Sequence, residues 1–136
     1  MEITRQYIDQ LTYKIIGCAI EIHRKLGPGL LESVYHQCFK KELFLRELNY
    51  KSELYFPLEY KGTEILAEFR LDFLVEDLIV VELKAIECVL PVHKAQIFSY
   101  MRLLQKPKGI LINFHCENIF KEGQFTFVNK LYSALV

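Results

Sequence analysis

The sequence predicts an α/β fold in which a mixed central sheet is flanked by helices, with the elements in the order ααβββαββ. Two segments with apolar residues three and four positions apart come first and predict helices. Three segments in which apolar and polar residues alternate follow, and they predict strands joined by tight turns. A third helical segment then separates the third strand from a fourth, and this crossover favours a mixed sheet.

Two amphipathic helices are predicted at the beginning of the chain. The first covers about residues 4–25, and the tripeptide Gly27-Pro28-Gly29 ends it. Its apolar positions are Ile8, Leu11, Ile15, Cys18, Ala19 and Ile22. The second covers about residues 31–48, and its apolar stripe consists of Leu31, Val34, Cys38 and Phe39. Each helix is therefore expected to present one face to a core.

Three strands are predicted between residues 54 and 86. The first contains Pro57, which cannot donate to a ladder, so this strand is expected at an edge of the sheet. After a turn at Lys61-Gly62, the second strand covers about residues 65–75. One of its faces carries Ile65, Ala67, Phe69, Leu71, Phe73 and Val75, and the other carries Glu68, Arg70 and Asp72. A turn near Glu76-Asp77 leads to the third strand, over about residues 78–86.

The remaining elements are a helix and two strands. Pro91 suits the first turn of a helix that reaches Gln105, and Pro107 ends it. A buried strand is predicted over residues 110–114, after Gly109. A last strand over about residues 125–128 follows a turn at Glu122-Gly123, and a short helical segment comes after it.

Length and composition fit one domain covering residues 1–136. The 17 basic and 17 acidic side chains cancel, so the chain lacks the basic excess with which a general nucleic-acid binder neutralises phosphates. A contact with nucleic acid would then depend on a local patch, a metal ion or a partner protein. The positive mean hydropathy is compatible with a homodimer or a protein partner, although a core rich in aromatic residues would explain it equally well.

The cysteines and the apolar runs bear on localisation. Cys18, Cys38, Cys88 and Cys116 form no C-x-x-C pair, which favours reduced thiols over a zinc site. The N-terminal residues lack an apolar signal region, and no apolar run approaches the roughly 20 residues that a membrane span needs. A cytoplasmic protein without membrane association is therefore expected.

Asp72 and the segment Glu82-Leu83-Lys84 form the most informative constellation. Glu82 and Lys84 lie two positions apart on one predicted strand, so their side chains leave the same face. Asp72 and Glu82 meet on one face only if the loop between their strands has an odd number of residues. A loop over residues 76–78 would place them directly opposite each other. The alternative is an ion pair of Lys84 with Asp72 or Glu82 on a solvated sheet face.

A metal site is the functional interpretation of these residues. Two carboxylates about 4 Å apart repel each other by roughly 4 kcal/mol at an effective dielectric constant of 20, which a proton, a cation or a basic side chain must offset. Magnesium prefers oxygen ligands and retains waters, so Asp72, Glu82 and the backbone carbonyl of Leu83 form a candidate ligand set. Lys84 would then lie beside the attacking water and the phosphate.

The segment from Gly29 to Tyr35 reads G-x-x-E-x-x-Y, with Glu32 at its centre. Together with IIGCAIEIHRKLGPGLLESVY, FRLDFLVEDLIVVELKA, VHKAQIFSYMRLL and GILINF, it resembles the GxxExxY protein family, a group assigned to the PD-(D/E)XK nuclease superfamily. The resemblance covers roughly residues 15–128. It implies a restriction-endonuclease-like core and phosphodiester hydrolysis that depends on Mg²⁺, with Mn²⁺ as a substitute.

The resemblance also implies roles for individual residues. Asp72, Glu82 and Lys84 correspond to the acidic pair and the lysine of the superfamily, and Lys84 would be catalytic. Glu32 matches the helical glutamate that supplements the metal site in many such enzymes; a first-turn carboxylate favoured by the helix dipole is its alternative interpretation. A catalytically silent or partner-dependent binding module that retains the fold is the alternative function.

Two pairs of helical residues complete the candidate site. Gln96 and Tyr100 resemble the Q-x-x-x-Y motif of the exonuclease-like branch, which implies that they orient catalytic groups or substrate, and they share one helix face. His93 precedes them and could contact phosphate, or it could be a polar residue of the helix N-terminus. Tyr35 shares a face with Glu32 and could contact substrate, but a core aromatic residue with a hydrogen-bonded hydroxyl is equally compatible.

Overall fold

The computed structural model describes residues 2–136, except for the side chains of residues 66–68. Its helices are α1 (Arg5–Leu26), α2 (Glu32–Leu45), α3 (Pro91–Leu104) and α4 (Lys130–Ser133), and its strands are β1 (Tyr50–Tyr60), β2 (Thr63–Val75), β3 (Ile79–Lys84), β4 (Lys108–Asn113) and β5 (Gln124–Val128). The predicted order is confirmed, with α4 as the short final helix. A π-helical turn over Ile119–Gly123 replaces the simple turn expected before β5.

The five strands form one mixed sheet in the order β1-β2-β3-β4-β5. The strands β3 and β4 pair in parallel, and every other neighbouring pair is antiparallel. Helix α3 connects the two parallel strands, as the predicted crossover requires. Strand β1 lies at an edge, and its register with β2 shifts between Phe56 and Leu58, at Pro57. The mixed α/β fold is therefore confirmed.

Helices cover both faces of the sheet and create two buried clusters. On one face, α1 and α2 pack against residues that include Phe73, Val81 and Ile112. All six predicted apolar positions of α1 are buried there. On the other face, α3 packs against residues that include Leu74 and Val80. Within residues 2–136, none of the helices combines the length and the apolar composition that crossing a membrane would require.

The buried face of α2 differs from the predicted one. Leu31 precedes the helix and is 75% exposed, and Val34 is also exposed, so the predicted stripe is wrong except for Phe39 and the partly buried Cys38. The residues that α2 buries are Tyr35, His36, Phe39 and Leu43. The hydroxyl of Tyr35 donates to the carbonyl of Gly27 (2.6 Å) and accepts from the amide of Leu30 (3.2 Å). This anchoring to the preceding loop sets the rotation of α2, which apolar spacing alone does not encode.

Strand β2 changes its buried side near Asp72, so the prediction of one continuous apolar face is wrong. Phe69 and Leu71 pack in the α3 cluster, whereas Phe73 and Val75 pack in the α1–α2 cluster. Ile65 is exposed. The predicted orientations of Ala67 and Glu68 lie outside the described side chains. A strand that alternated regularly would keep residues two apart on one face, so the backbone must deviate between Leu71 and Phe73.

The C-terminus of α3 offers a stability prediction. Gln105 follows the helix with φ of 56°, a left-handed conformation that glycine adopts with little strain. We expect Gln105→Gly to raise the free energy of unfolding by about 0.5–1 kcal/mol. Urea unfolding measures this free energy. As a control, Gln37→Gly in the exposed middle of α2 should lower the free energy of unfolding by about 1 kcal/mol. A loss of stability in Gln105→Gly would contradict the proposed strain.

Candidate metal centre

The hairpin between β2 and β3 positions the two acidic residues. Val75 pairs with Ile79, so the loop consists of residues 76–78, as the predicted three-residue loop requires. Glu76 and Asp77 take the left-handed conformation in this loop, with φ of 52° and 57°. Continuing the register of this hairpin places Asp72 opposite Glu82.

Both carboxyl groups are buried at the point where β2 and β3 diverge. Asp72 is 7% exposed and Glu82 is 6% exposed. The backbone ladder ends at the pair formed by Phe73 and Val81. Beyond it, Oδ2 of Asp72 accepts a hydrogen bond from the amide of Leu83 (2.9 Å), and the amide of Asp72 lies 3.5 Å from Oε1 of Glu82. The Asp72 side chain thus bonds a strand amide where the backbone pairing has stopped.

The environment of Glu82 strongly disfavours its charged form. The pKa of Glu82 is raised to about 10, chiefly by burial and further by the negative charge of Asp72 and a hydrogen bond with Asp72, while Lys84 opposes the shift. Among the side chains that the structure describes, no lysine, arginine or histidine lies within 4.0 Å of either carboxylate. The alternative ion pair with Lys84 is therefore not formed. A proton or a bound cation must offset the repulsion.

The backbone carbonyl of Leu83 points toward the same place. The N–H and C=O groups of one strand residue point the same way, and the amide of Leu83 points to Asp72. The next carbonyl, that of Lys84, points to the opposite side, where it accepts from the amide of Phe114 (2.9 Å). Two carboxylates and one backbone carbonyl are oxygen donors of the kind that hard divalent cations prefer.

This donor set fits a cation that keeps part of its water shell. Within the described part of the chain, no three His, Cys, Asp or Glu side chains are arranged as a complete metal site. A cation at Asp72 and Glu82 would therefore use backbone oxygen and water as its other ligands, which is usual for magnesium. Zinc, which prefers nitrogen and sulfur ligands, suits the set less well.

Two further predicted residues adjoin the acidic pair. Lys84 is the last residue of β3 and is partly buried. Glu32 is the first residue of α2. Partial burial raises the pKa of Glu32, the charge of Asp72 raises it further, and Lys84 and Arg70 lower it. Because these charges act on Glu32, it belongs to the same electrostatic neighbourhood as the acidic pair.

Helix α3 contributes Gln96 and Tyr100 from the other side of the sheet. Nε2 of Gln96 donates to the hydroxyl of Tyr100 (3.0 Å), so the two residues of the Q-x-x-x-Y motif do contact each other. Tyr100 is 5% exposed, and its ring meets Phe56 edge-on at 5.5 Å. Burial raises the pKa of Tyr100, and the charges of Glu82 and Asp72 raise it further. The Tyr100 hydroxyl therefore lies within electrostatic range of the acidic pair.

The two weaker candidates have structural contacts. Nδ1 of His93 accepts a hydrogen bond from the amide of Leu90 (2.9 Å), which caps the N-terminus of α3. Tyr35 is fully buried, and its ring stacks on Phe114 with 4.3 Å between centroids. The burial of its ring and the hydroxyl bonds described above match the interpretation of Tyr35 as a core aromatic residue. We therefore assign Tyr35 no contact with substrate.

The prediction from sequence missed three residues around the site. His36 is buried on α2, where burial lowers its pKa and the charge of Asp72 raises it. Glu53 lies on β1 beside His36. Asn113 ends β4, and its side chain accepts from the amides of Ile86 and His115 and donates to the carbonyl of Ile86. Asn113 thereby anchors the segment that follows Lys84. Its position as a polar residue directly after the apolar run 110–112 could have identified it from the sequence.

Comparison with known proteins shows the superfamily to which the chain belongs. A family model described as the PD-(D/E)XK nuclease superfamily matches residues 9–125, and the chain belongs to this superfamily. The match includes Glu32, the acidic pair, Lys84 and the Gln96–Tyr100 pair. The mixed sheet with helices on both faces is consistent with the restriction-endonuclease-like fold of the superfamily, whose nucleases generally use divalent metals. No curated protein and no solved structure matches the chain.

Proposed function

We propose that the protein hydrolyses phosphodiester bonds in nucleic acid and depends on Mg²⁺, which Mn²⁺ can replace. One observation carries the proposal: Asp72 and Glu82 are buried opposite each other without an ion-pair partner among the described side chains. Such a pair is costly to retain in its charged form without a cation, and a bound cation would take the place of the proton that otherwise offsets the repulsion. The superfamily match makes phosphodiester hydrolysis the chemistry to expect at this pair.

The residues of the site have complementary roles in this proposal. Asp72, Glu82 and the carbonyl of Leu83 would hold the cation. When bound, the cation stabilises negative charge on the phosphate and makes water a better nucleophile at neutral pH. Lys84 places a positive charge at the open end of β3, where it orients the attacking water and opposes the charge that develops on phosphate. Glu32, at the start of α2 and under the electrostatic influence of Asp72, would supply a further carboxylate through water.

Gln96 and Tyr100 act on the site from α3. The hydrogen bond between them fixes the direction of the Tyr100 hydroxyl. The charges of Glu82 and Asp72 raise the pKa of Tyr100, and in this proposal its hydroxyl helps to orient the acidic groups. His93, one turn before Gln96, caps the helix through Nδ1, and its Nε2 would meet a phosphate. The narrower assignment to the GxxExxY family is part of this proposal.

A cation-binding module without turnover is the second candidate. The neutral net charge favours it, because no general attraction to nucleic acid follows from the composition. Exposed apolar side chains on and near α2, among them Leu31, Phe44 and Leu45, favour a protein partner or a second copy that would complete the nucleic-acid surface. In this case the protein would bind the cation and leave nucleic acid intact on its own.

Titration with Mg²⁺ and Mn²⁺ tests the proposal. We expect cleavage of single- or double-stranded DNA or RNA to rise with the concentration of either ion and to vanish in EDTA. Calorimetry on the same preparation measures cation binding independently. Binding without cleavage of any substrate would favour the second candidate. If neither ion binds, or if Asp72→Asn and Glu82→Gln bind as the wild type does, the acidic pair is not a metal centre.

A further inference from the structure

The pairing of β1 with β2 is interrupted beside the acidic pair. Ser52 pairs with Phe73, and Leu54 pairs with Leu71, but Glu53 and Asp72 between them are not paired. Glu53 has φ of 51°, a left-handed conformation that is rare for a residue inside a strand. Such backbone strain persists only where the surrounding structure enforces it, and it is concentrated at functional sites.

The interruption explains how the Asp72 side chain reaches β3. The buried side of β2 switches between Leu71 and Phe73, on either side of Asp72. At this switch Asp72 does not join the pairing with β1, and its carboxylate accepts from the amide of Leu83 on β3. In a regular strand the Asp72 side chain would stand perpendicular to the sheet instead.

His36 lies next to the residues on both sides of this interruption, Phe73 on β2 and Glu53 on β1. Its ring packs on Phe73, the residue after Asp72, with 4.5 Å between centroids. Its Nε2 is buried, forms no hydrogen bond with the residues that the structure describes, and lies 3.9 Å from Oε1 of Glu53. The Glu53 side chain is 49% exposed and can therefore move toward it. A buried nitrogen without a partner is unfavourable, and this favours a hydrogen bond from Nε2 of His36 to the partly exposed carboxylate of Glu53.

We propose that His36 is a positioning residue for the acidic centre, acting through Glu53 and Phe73. The His36 ring packs on Phe73, and Nε2, 3.9 Å from Oε1 of Glu53, would hold that carboxylate at the left-handed position of β1 by a hydrogen bond that forms when the Glu53 side chain moves closer. Together these contacts keep β1 and β2 unpaired at Asp72 and direct its carboxylate to Leu83. That this arrangement matters for cation binding rests on the proposed function. That His36 positions the Asp72 carboxylate does not depend on it.

Amide hydrogen exchange of Leu83 tests the positioning without any cation. We expect His36→Leu to accelerate exchange at Leu83 at least about tenfold relative to Leu111 in β4, because only the Leu83 amide depends on Asp72. A general loss of stability would accelerate both amides together. His36→Gln, whose Nε2 can replace that of histidine, should keep exchange at Leu83 close to the wild-type value. Glu53→Ala should accelerate exchange at Leu83 as His36→Leu does. Glu53→Gln keeps a hydrogen-bond acceptor and should leave exchange at Leu83 at the wild-type rate.

Phe39→Leu is the matched control. Phe39 also packs on Phe73 from α2, with 5.0 Å between centroids, but it has no polar atom. This variant should lower Tm and leave the ratio of exchange rates at Leu83 and Leu111 unchanged. If His36→Leu and Glu53→Ala change this ratio no more than Phe39→Leu does, the positioning role is refuted.

Calorimetric titration with Mn²⁺ then connects the position of Asp72 with cation binding. Loss of a residue that orients a metal ligand typically weakens affinity by about 10–100-fold, and we expect His36→Leu to fall in this range while His36→Gln does not. If the wild type binds no Mn²⁺ although exchange at Leu83 responds to His36→Leu, the proposed metal centre is wrong and the positioning role stands. If Mn²⁺ binds equally to the wild type and His36→Leu, with Leu83 exchange unchanged, the positioning role is wrong and the metal centre stands.

Discussion

Replacing Lys84 by alanine is expected to lower kcat for cleavage by about 10²–10³-fold. Lys84 is the last residue of β3, its charge lowers the pKa of the buried Glu82, and its ammonium group is proposed to orient water and oppose charge on phosphate. Cation affinity should not weaken, because Lys84→Ala removes a positive charge from the neighbourhood of the ligands. Single-turnover cleavage assays and Mn²⁺ calorimetry on the same preparation separate the two effects.

Lys14→Ala provides the control for this experiment. Lys14 is an exposed lysine of α1, so its removal changes the net charge equally without touching the site. Its cleavage rate should match that of the wild type. Unchanged kcat in Lys84→Ala would contradict the catalytic role of Lys84. A large loss of cation affinity in this variant would assign Lys84 to the structure of the metal centre instead.

The second large effect concerns Glu82 and the pH dependence of stability. In the cation-free folded protein the pKa of Glu82 is raised to about 10. The unfolded chain releases this proton near the ordinary glutamate pKa, so the folded state holds more protons between the two values. The free energy of unfolding should therefore fall as pH rises across this interval, by at most about 1.4 kcal/mol per pH unit.

Urea unfolding in EDTA between pH 5 and pH 9 measures this dependence. Glu82→Gln should remove most of the slope, since a neutral amide occupies the buried position at every pH. Glu47→Gln, which changes an exposed glutamate of the segment after α2, should keep the wild-type slope. Saturating Mn²⁺ should flatten the slope of the wild type, because the cation replaces the proton. A wild-type stability that rises with pH in EDTA would show that Glu82 is not held in its neutral form.

Much of the candidate site follows from local spacing. The odd-numbered loop that the sequence requires is present, because Val75 pairs with Ile79 across residues 76–78. The contact between Gln96 and Tyr100 follows from their spacing of four residues on a helix. Pro57 marks an edge strand because it lacks an amide proton for the ladder. Each of these features depends on residues a few positions apart.

Two predictions were wrong for a shared physical reason. The apolar stripe of α2 was placed on Leu31 and Val34, but the hydrogen bonds of Tyr35 to the preceding loop rotate the helix and expose both. The predicted apolar face of β2 continues from Ile65 to Val75, but the strand switches its buried side at Asp72. In both cases the element forms a hydrogen bond with another part of the chain where the prediction fails: Tyr35 with the loop before α2, and Asp72 with Leu83.

By itself, the sequence determined the α/β class and the order of the elements, because the periods of helices and strands are properties of the local chain. It also singled out Asp72, Glu82 and Lys84 as candidate site residues. Only the tertiary structure decided that the two carboxylates are buried without an ion pair, that Asp72 bonds the amide of Leu83, and that His36 lies beside Glu53. The burial of the carboxylates, the Asp72–Leu83 bond and the position of His36 all depend on how α2 and β3 pack against β1 and β2, where Glu53 and Asp72 are not paired. Long-range packing sets the burial and the charge state of the site.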